Sequence, residues 1–542
     1  MYKCPSCGGS LKFDIASGQM LCAYCGATAD PYSMQKDYGA EERNEYEATI
    51  FTCTQCGAEL LSEDTTAATF CSFCGSTAIL ESRIGKGRRP AHIIPFSKTM
   101  EDCKSAYAKM MRRALFAPKE LKKPEYIEKF RGIYMPYWVY SFEKKGKITF
   151  RGSVSRQKGD YLVTKHYDIT SEVDASYKGI SYDAAADFSD DLSGAIAPYD
   201  MGGGKPFAPS FLSGFYADAK DVDSSVYRQE ACELVSEESF DRLIRDRICS
   251  RYHVKDEGNK ASLKNALRPE CTAAELAMFP VWFLSYRKDD KVAYAVVNGQ
   301  TGKAAADLPV DRKKYVIGSL LLAIPLFLLL NLRLTITPGI ALFLAALLAL
   351  VCAVVSCSQT SRIRERELRE NDKGYLHAEQ KRGGSDADWV NYAQIGQRKN
   401  FGLSGREIKI LQILIGTVLF VFFMPMAMGI VAFRTESKPM VLIVFLCCMG
   451  LMRIVTLDRW QKPLPKGLCK ELFPVLIKPV AAILFALAVM IWNPVSDLYY
   501  YGGAVVSMAA VIWTLLDIIK RYNALTMRKL PQFNRRGGDE NV

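Results

Sequence analysis

The chain has 542 residues, 49% of them hydrophobic and 24% charged, with 17 cysteines and only four histidines. That length exceeds one ordinary core and predicts three or four structural units. The formal net charge of +12 lies in the C-terminal half: residues 1–90 hold eight Lys/Arg against eleven Asp/Glu, so the N-terminal part lacks the basic footprint of a nucleic-acid binder.

Eight cysteines fall within the first 75 residues, in pairs. The opening MYKCPSCGGS has no apolar h-region, so this part is expected to stay in a reducing compartment, where paired cysteines read as metal ligands. An internal duplication carries the signal. Cys4, Cys7, Cys22 and Cys25 form the first copy, and Cys53, Cys56, Cys71 and Cys74 the second; both read C-x2-C-G-x13-C-x2-C-G. Two C-x2-C knuckles on facing hairpin turns supply four thiolates in a tetrahedron. The glycines that follow them, Gly8, Gly26, Gly57 and Gly75, allow the positive φ that turns backbone amides toward sulfur. Leu11, Phe13, Leu60 and Phe70 offer only a minimal core, so metal is expected to supply about 10–16 kcal/mol of folding free energy per site. Zinc is the metal this ligand set favours, and iron in a rubredoxin-like site is the alternative. Four cysteines close the coordination sphere, which predicts two structural zinc ions, in ribbons at 1–30 and 50–80. A zinc–tetrathiolate adds formally about −2 to ribbons that are already acidic. The nearest basic cluster, Lys86, Arg88 and Arg89, is a short linker patch. The ribbons are therefore expected to dock cytoplasmic proteins, with nucleic acid disfavoured.

Residues 91–310 read as a mixed α+β soluble domain. Thr99 and Asp102 fit a capping box that starts a helix running to Phe116, before Pro118. Strands are expected at IYMPYWVYSF, KITFRGSV and YLVTKHYDI, a second helix at Phe240–Tyr252, and a hairpin over FPVWFLSYRKDDKVAYAVV ending at an Asn298-Gly299 turn. A second duplication appears here: Pro136, Trp138, Ser141 and Phe142 align with Pro280, Trp282, Ser285 and Tyr286. Both tryptophans read as core anchors.

Catalytic signatures are missing from the sequence, and no enzyme is expected. His92, His166, His253 and His377 have no ligand spacing. Gly202-Gly203-Gly204-Lys205 fails the phosphate-loop pattern at Pro206, so MGGGKPFAPSF reads as a flexible loop. Asp183, Asp187, Asp190 and Asp191 read as a solvated loop face, and Cys103, Cys232, Cys249 and Cys271 as small core residues.

CPSCGG, CSFCGS, MPYWVYSF, APSFLSGFYAD and PVWFLSYR with YAVVNGQTGK together resemble the bacterial TFIIB-type double-zinc-ribbon multi-pass membrane proteins. The resemblance covers roughly the first 310 residues. Some of these proteins are labelled primosomal helicases, yet this chain carries no helicase motif. Others look to be encoded beside phage-shock-protein-A-like membrane-stress proteins. The resemblance thus implies a scaffold that brings cytoplasmic proteins to the bilayer.

From Tyr315 the composition turns apolar. Six runs are long enough to be read as spans: Tyr315–Leu332, Gly339–Val355, Ile408–Phe433, Met440–Val455, Phe473–Trp492 and Tyr500–Ile519. They make a helical transmembrane domain at 314–520, with a cytoplasmic loop at 359–407 and a basic tail at 521–542. Lys and Arg crowd that loop (Arg362, Arg364, Arg366, Arg369 among them), the Arg459–Lys470 segment and the tail. The opposite side holds only Arg333, Arg434 and Lys438. The asymmetry predicts a multi-pass cell-membrane protein with both termini cytoplasmic and its basic loops against anionic headgroups. SRIRERELRE reads as an exposed helix. Arg453, Lys478 and Asp517 lie within snorkelling reach of the cytoplasmic face, and Lys478 with Asp517 would make a pair between helices.

The fold class expected is therefore two N-terminal zinc ribbons, an α+β domain and about six transmembrane helices. The function expected is a zinc-binding integral membrane scaffold that docks cytoplasmic partners, with room for an oligomer. A membrane-tethered nucleic-acid binder and a transporter or channel are the alternatives.

Overall fold

The structure, a computed structural model, describes residues 2–33, 45–53, 59–62, 80–331, 337–367, 372–377, 468–526 and 528–529, apart from 187, 219, 255–259, 289–290 and 375. The chain divides into two units. The first is Met1–Lys314 with Arg366–Asp388 and Asn523–Val542; the second is Tyr315–Glu365 with Trp389–Tyr522.

In the first unit, strands β1 (Leu11–Phe13), β2 (Met20–Cys22) and β3 (Thr28–Ala29) form a small antiparallel sheet. Strand β4 (Glu45–Cys53) lies antiparallel between β5 (Glu59–Ser62) and β6 (Leu80–Arg88). Then follow β7 (His92–Ile93), helices α1 (Met100–Arg113) and α2 (Pro124–Ile127), and two very long strands, β8 (Arg131–Lys158) and β9 (Tyr161–Asp183). After them come α3 (Asp190–Ile196), β10 (Lys205–Pro206), β11 (Tyr216–Ala217), α4 (Ser225–Arg245), α5 (Arg247–Arg251) and α6 (Lys260–Ala266). Strands β12 (Glu270–Lys288), β13 (Lys291–Asn298) and β14 (Ala304–Ala306) close the domain. The large sheet runs β10-β7-β12-β8-β11-β5-β4-β6, with β9 on β8 and with β13 joining β12 to β14.

The apolar run in β8 is buried on both faces, as a central strand covered on each side requires. Tyr134 faces one core with Met278, Trp282 and Val297. Ile133, Met135, Tyr137 and Val139 face the other, with Phe279, Val281 and Phe283.

The P-x-W repeat is a local two-fold. β8 and β12 pair antiparallel so that Met135 lies opposite Phe279, each the repeat equivalent of the other. The neighbourhood follows in register. Ile133 takes Tyr216 of β11 as a parallel partner, and its equivalent Ala277 takes His92 of β7. Tyr137 pairs with Asp183, and its equivalent Val281 with Asn298. The carbonyls of Pro136 and Pro280 accept from Ala184 N and Gly299 N, both at 2.8 Å. Each indole N–H donates at 2.9 Å to a carbonyl just before a helix: Trp138 to Val222, ahead of α4, and Trp282 to Lys98, ahead of α1. Gly132 sits opposite Trp282, where a Cβ would come within 2.5 Å of Phe215.

Several expectations are corrected. The capping box is present, with Asp102 N donating to Thr99 Oγ1 at 3.3 Å and Thr99 N to Asp102 Oδ2 at 3.0 Å, but α1 ends at Arg113. The three strand segments at 133–169 are two continuous strands. The helix expected at Phe240–Tyr252 is the end of a longer α4, broken at Asp246, whose side chain accepts from Ile248 N and starts α5. MGGGKPFAPSF is ordered: a 3-10 turn at Met201–Gly203, β10 against β7, then a buried turn at Pro209–Leu212. Asp183 is buried rather than solvated, and Asp187 lies outside the described residues.

The second unit contains α7 (Arg312–Asn331, continuing from the first unit), α8 (Pro338–Glu367), α9 (Leu468–Trp492) and α10 (Asp497–Thr526), the last leading into β15 (Arg528–Lys529) of the first unit. Small residues let α8 and α9 approach: Leu342 and Ala346 pack with Ala486 and Val489. Lys478 Nζ donates to Asp517 on the neighbouring helix and lies 4.4 Å from the centre of the Trp513 ring, so the expected pair exists.

The expectation of about six transmembrane helices is overturned. Among the described residues one helix, Asp497–Asn523, is long and apolar enough to cross a bilayer; Pro338–Ala353 and Leu476–Trp492 are shorter apolar stretches. Lys478 stands within the second of these stretches, Pro325 stands inside α7, and α8 runs on into charged sequence. The runs at Ile408–Phe433 and Met440–Val455, with Arg453, lie outside the described residues.

The two-fold is broken chemically where Asp183 stands for Asn298. Asn298 is fully buried and satisfied: its Nδ2 donates to Ile196 O at 2.9 Å, and its Oδ1 accepts from Gln300 N and Thr301 N. Asp183 is 2% exposed, and its Oδ2 has no hydrogen-bond partner. Burial, then the nearby Asp190 and Asp372 charges, hold its carboxyl well above the usual carboxylate range. The folded state thus keeps a proton that the unfolded chain releases, so stability falls as pH rises above the ordinary carboxylate range. Asp183→Asn is expected to flatten that dependence, gaining about 1–3 kcal/mol at pH ~8 and little at pH ~5, as read from thermal melts. An equal shift at both pH values would contradict a protonated Asp183.

Candidate metal centre

The first C-x2-C pair lies in the turn before β1, and the second starts at the last residue of β2 and ends in the turn after it, so the β1–β2 pairing brings the two knuckles face to face. Each knuckle folds alike. Gly8 N donates to Cys4 O at 2.8 Å and Gly26 N to Cys22 O at 3.0 Å, with φ of +74° and +71° at the two glycines. A side chain there would be strained, which is why glycine follows each pair.

The four Sγ atoms of Cys4, Cys7, Cys22 and Cys25 all lie within 4.8 Å of one another. Cys4–Cys25 and Cys7–Cys22 stand 3.6 and 3.5 Å apart. A disulfide needs about 2.05 Å, whereas four sulfurs around a tetrahedral ion at about 2.3 Å stand roughly 3.8 Å apart. The residues fit one metal ion with four thiolate ligands. Cys4 and Cys22 are buried, while Cys7 and Cys25 reach the surface. Burial alone would raise the Cys4 thiol, but the backbone N–H groups of Cys7 and Ser6 outweigh it and bring it down to about 6. Backbone N–H groups of Cys25 and Tyr24 lower Cys22 in the same way. Gly9 N also donates to Cys7 Sγ at 3.4 Å. That bond lowers the Cys7 thiol, but the Cys25 and Cys22 sulfurs beside it outweigh it and push Cys7 up to about 12, so the backbone favours thiolate, the form that binds metal, at Cys4 and Cys22.

Of the second set, Cys53 is buried at the end of β4, while Cys56, Cys71 and Cys74 lie outside the described residues. Among the other cysteines, Cys103, Cys232 and Cys249 are buried and Cys271 is half-buried.

The first ribbon is not a free module. Phe211 lies 5.1 Å from the Phe13 ring and 5.7 Å from Tyr32. Ser210 and Ser213 hydroxyls donate to Pro31 O and Leu11 O, both at 2.8 Å, and Phe13 N donates to Ser213 O. Cys4, Leu11, Phe13, Met20 and Cys22 consequently belong to the same core as Phe96 and Trp282. Residue types alone do not mark this dock; the aromatic and hydroxyl spacing of APSFLSGF was its only signal. Tyr24, between the ligands Cys22 and Cys25 in the chain, is 81% exposed.

Metal analysis of the purified chain is expected to fall by about one ion per chain in the Cys4→Ser/Cys22→Ser variant, with a lowered melting temperature for the whole soluble unit. Phe211→Ala should keep the ion yet cost about 3–5 kcal/mol of stability. Unchanged metal content in the cysteine variant would contradict the site.

No family model and no solved structure matches the chain. It is 32% identical to the "Uncharacterized protein YdjG" of Bacillus subtilis (strain 168) over 319 residues, which make up 58% of this chain and 91% of that protein. The chain belongs to the same family as YdjG.

Proposed function

We propose that the protein is a membrane-attached adaptor whose zinc-stapled ribbons dock a cytoplasmic protein. The observation that carries the reading is the closed four-thiolate cluster of Cys4, Cys7, Cys22 and Cys25. Four cysteine ligands leave no position for water or substrate, so the metal's work is to hold a surface. Zinc suits a redox-silent tetrahedral thiolate site, and the same ligand spacing at Cys53, Cys56, Cys71 and Cys74 extends the proposal to a second zinc ion.

The surface so held presents Tyr24, an exposed aromatic on a rigid knuckle, which is the residue type that anchors protein interfaces. The acidic balance of residues 1–90 argues against phosphate as the ligand. Attachment to the bilayer is supported by α10, where only 22% of the apolar window is buried and where Val505, Ile512 and Trp513 face outward. A soluble protein seldom leaves so continuous an apolar face bare. The reduced thiolates suit a cytoplasmic N-terminus.

The test is a mild-detergent pull-down with mass spectrometry. It compares the intact chain with Tyr24→Asp and with a Cys→Ser variant at Cys4, Cys7, Cys53 and Cys56. A specific protein that is retained by the intact chain and lost at least about tenfold from both variants is the expected result. An unchanged partner list contradicts docking through the ribbons. Salt-sensitive retention of nucleic acid by the intact chain would favour the tethered nucleic-acid binder instead.

A further inference from the structure

Hairpin β8–β9 runs well past the sheet that anchors it. β12 pairs with β8 only from Arg131 to Glu143, whereas β9 stays in register with β8 out to Lys158 opposite Tyr161. Helices α4–α6 cover one face of the hairpin stem, around Ile148, Phe150, Ile169 and Val173. The cover ends where Tyr252 meets Tyr167, with ring centres 4.9 Å apart.

Beyond that contact the same face continues bare. Residues directly opposite each other share a face. Val154 lies opposite Lys165, Arg156 opposite Val163, and Lys158 opposite Tyr161, so this face carries three cations interleaved with apolar side chains and no carboxylate. The Arg151–Asp168 pair, 3.6 Å apart, lies on the other face. At the tip Tyr161, on this face, and Leu162, opposite Gln157 on the other, are 78% and 71% exposed, and Asp160 stands in the exposed turn between the strands. Arg156, Lys158 and Lys165 are exposed and make no ion pair among the described residues.

We propose that this finger binds a bilayer surface rich in anionic phospholipid. Arg156, Lys158 and Lys165 contact the headgroups, and Tyr161 and Leu162 enter the interface. The inference rests on the membrane attachment proposed above, because a bilayer tethered in the same chain is present at high effective concentration. Each basic residue near an anionic surface strengthens binding by about fivefold, and tyrosine is at home at headgroup level. Lipid fits better than a protein partner for a geometric reason. A stable protein interface needs about 1,200–2,000 Å² of buried surface, which the tip of a two-stranded ribbon does not offer, whereas shallow insertion needs only a few side chains.

The experiment places the full chain in nanodiscs of phosphatidylcholine alone or with about 40% phosphatidylglycerol, and follows amide hydrogen exchange across residues 151–168. Exchange about tenfold slower on the anionic discs is expected, with the protection lost at high salt, as charge screening requires. An Arg156→Glu/Lys158→Glu/Lys165→Glu variant should lose it at any salt, and Tyr161→Ser/Leu162→Ser should weaken it; all five positions are exposed, so folding is preserved. Equal exchange on both discs overturns the proposal. So does protection by added duplex DNA or an acidic protein on neutral discs without protection by phosphatidylglycerol. A chain retained by neither disc contradicts the attachment instead. Flotation with vesicles of the same two compositions then decides the finger by itself: lipid-selective flotation lost in the triple variant supports it, and none overturns it.

Discussion

The antiparallel pairing of β8 with β12 about Met135 and Phe279 is the constraint from which the rest of the first unit follows. Once these two residues face each other, the repeat equivalents on either side are fixed in register, and a strand pair has no freedom to shift by one without turning every core side chain to the wrong face. Each strand then receives a short parallel neighbour, a buried tryptophan whose indole ties down a helix start, and a returning antiparallel strand. Tyr134, Tyr137, Trp138, Phe279 and Trp282 are all buried here. At about 1.5–3 kcal/mol for each large apolar side chain, this seam supplies a large part of the domain's stability.

Function is more readily sought where the two halves differ than where they agree. Phe96 lies 5.0 Å from Trp282, while the corresponding position beside Trp138 is Lys220, its Nζ 5.0 Å from the ring. The first is sealed under Phe215, whose ring stacks on Phe96 at 4.5 Å. The same contrast holds at the strand ends: β12 and β13 turn back after Lys288, whereas β8 and β9 continue as a charged ribbon. One half has been closed over by the ribbon dock, and the other has grown outward.

Much of this was legible in the residues, for identifiable reasons. C-x2-C pairs and their glycines constrain geometry so tightly that spacing alone names the ligands. The capping box at Thr99 and the P-x-W repeat were equally local. What escaped depended on distant partners. Helix α4 was hidden because Ser236 and Ser239 occupy its buried face; their hydroxyls donate to Cys232 O and Val235 O one turn back, so polar residues fill apolar positions. The glycine-rich MGGGKPF segment looked mobile because its order comes from β7, Gln300 and the ribbon. Apolar composition overstated the spans: among the described residues Asp497–Asn523 alone has the length and hydropathy of one, and Lys478 is held inside α9 by its pairing with Asp517.

The shared core has a consequence for how the metal acts. A ribbon on a flexible linker could lose its ion without disturbing anything else. Here Cys4 and Cys22 belong to the same buried cluster as Phe96, Phe211 and Trp282. Losing the ion leaves thiols whose buried positions were set by the tetrahedron, beside a core that Phe13 and Phe211 hold in register. The loss therefore reaches the two-fold seam through Trp282, whose indole secures the start of α1. The shared core thus couples metal binding to the stability of the sheet.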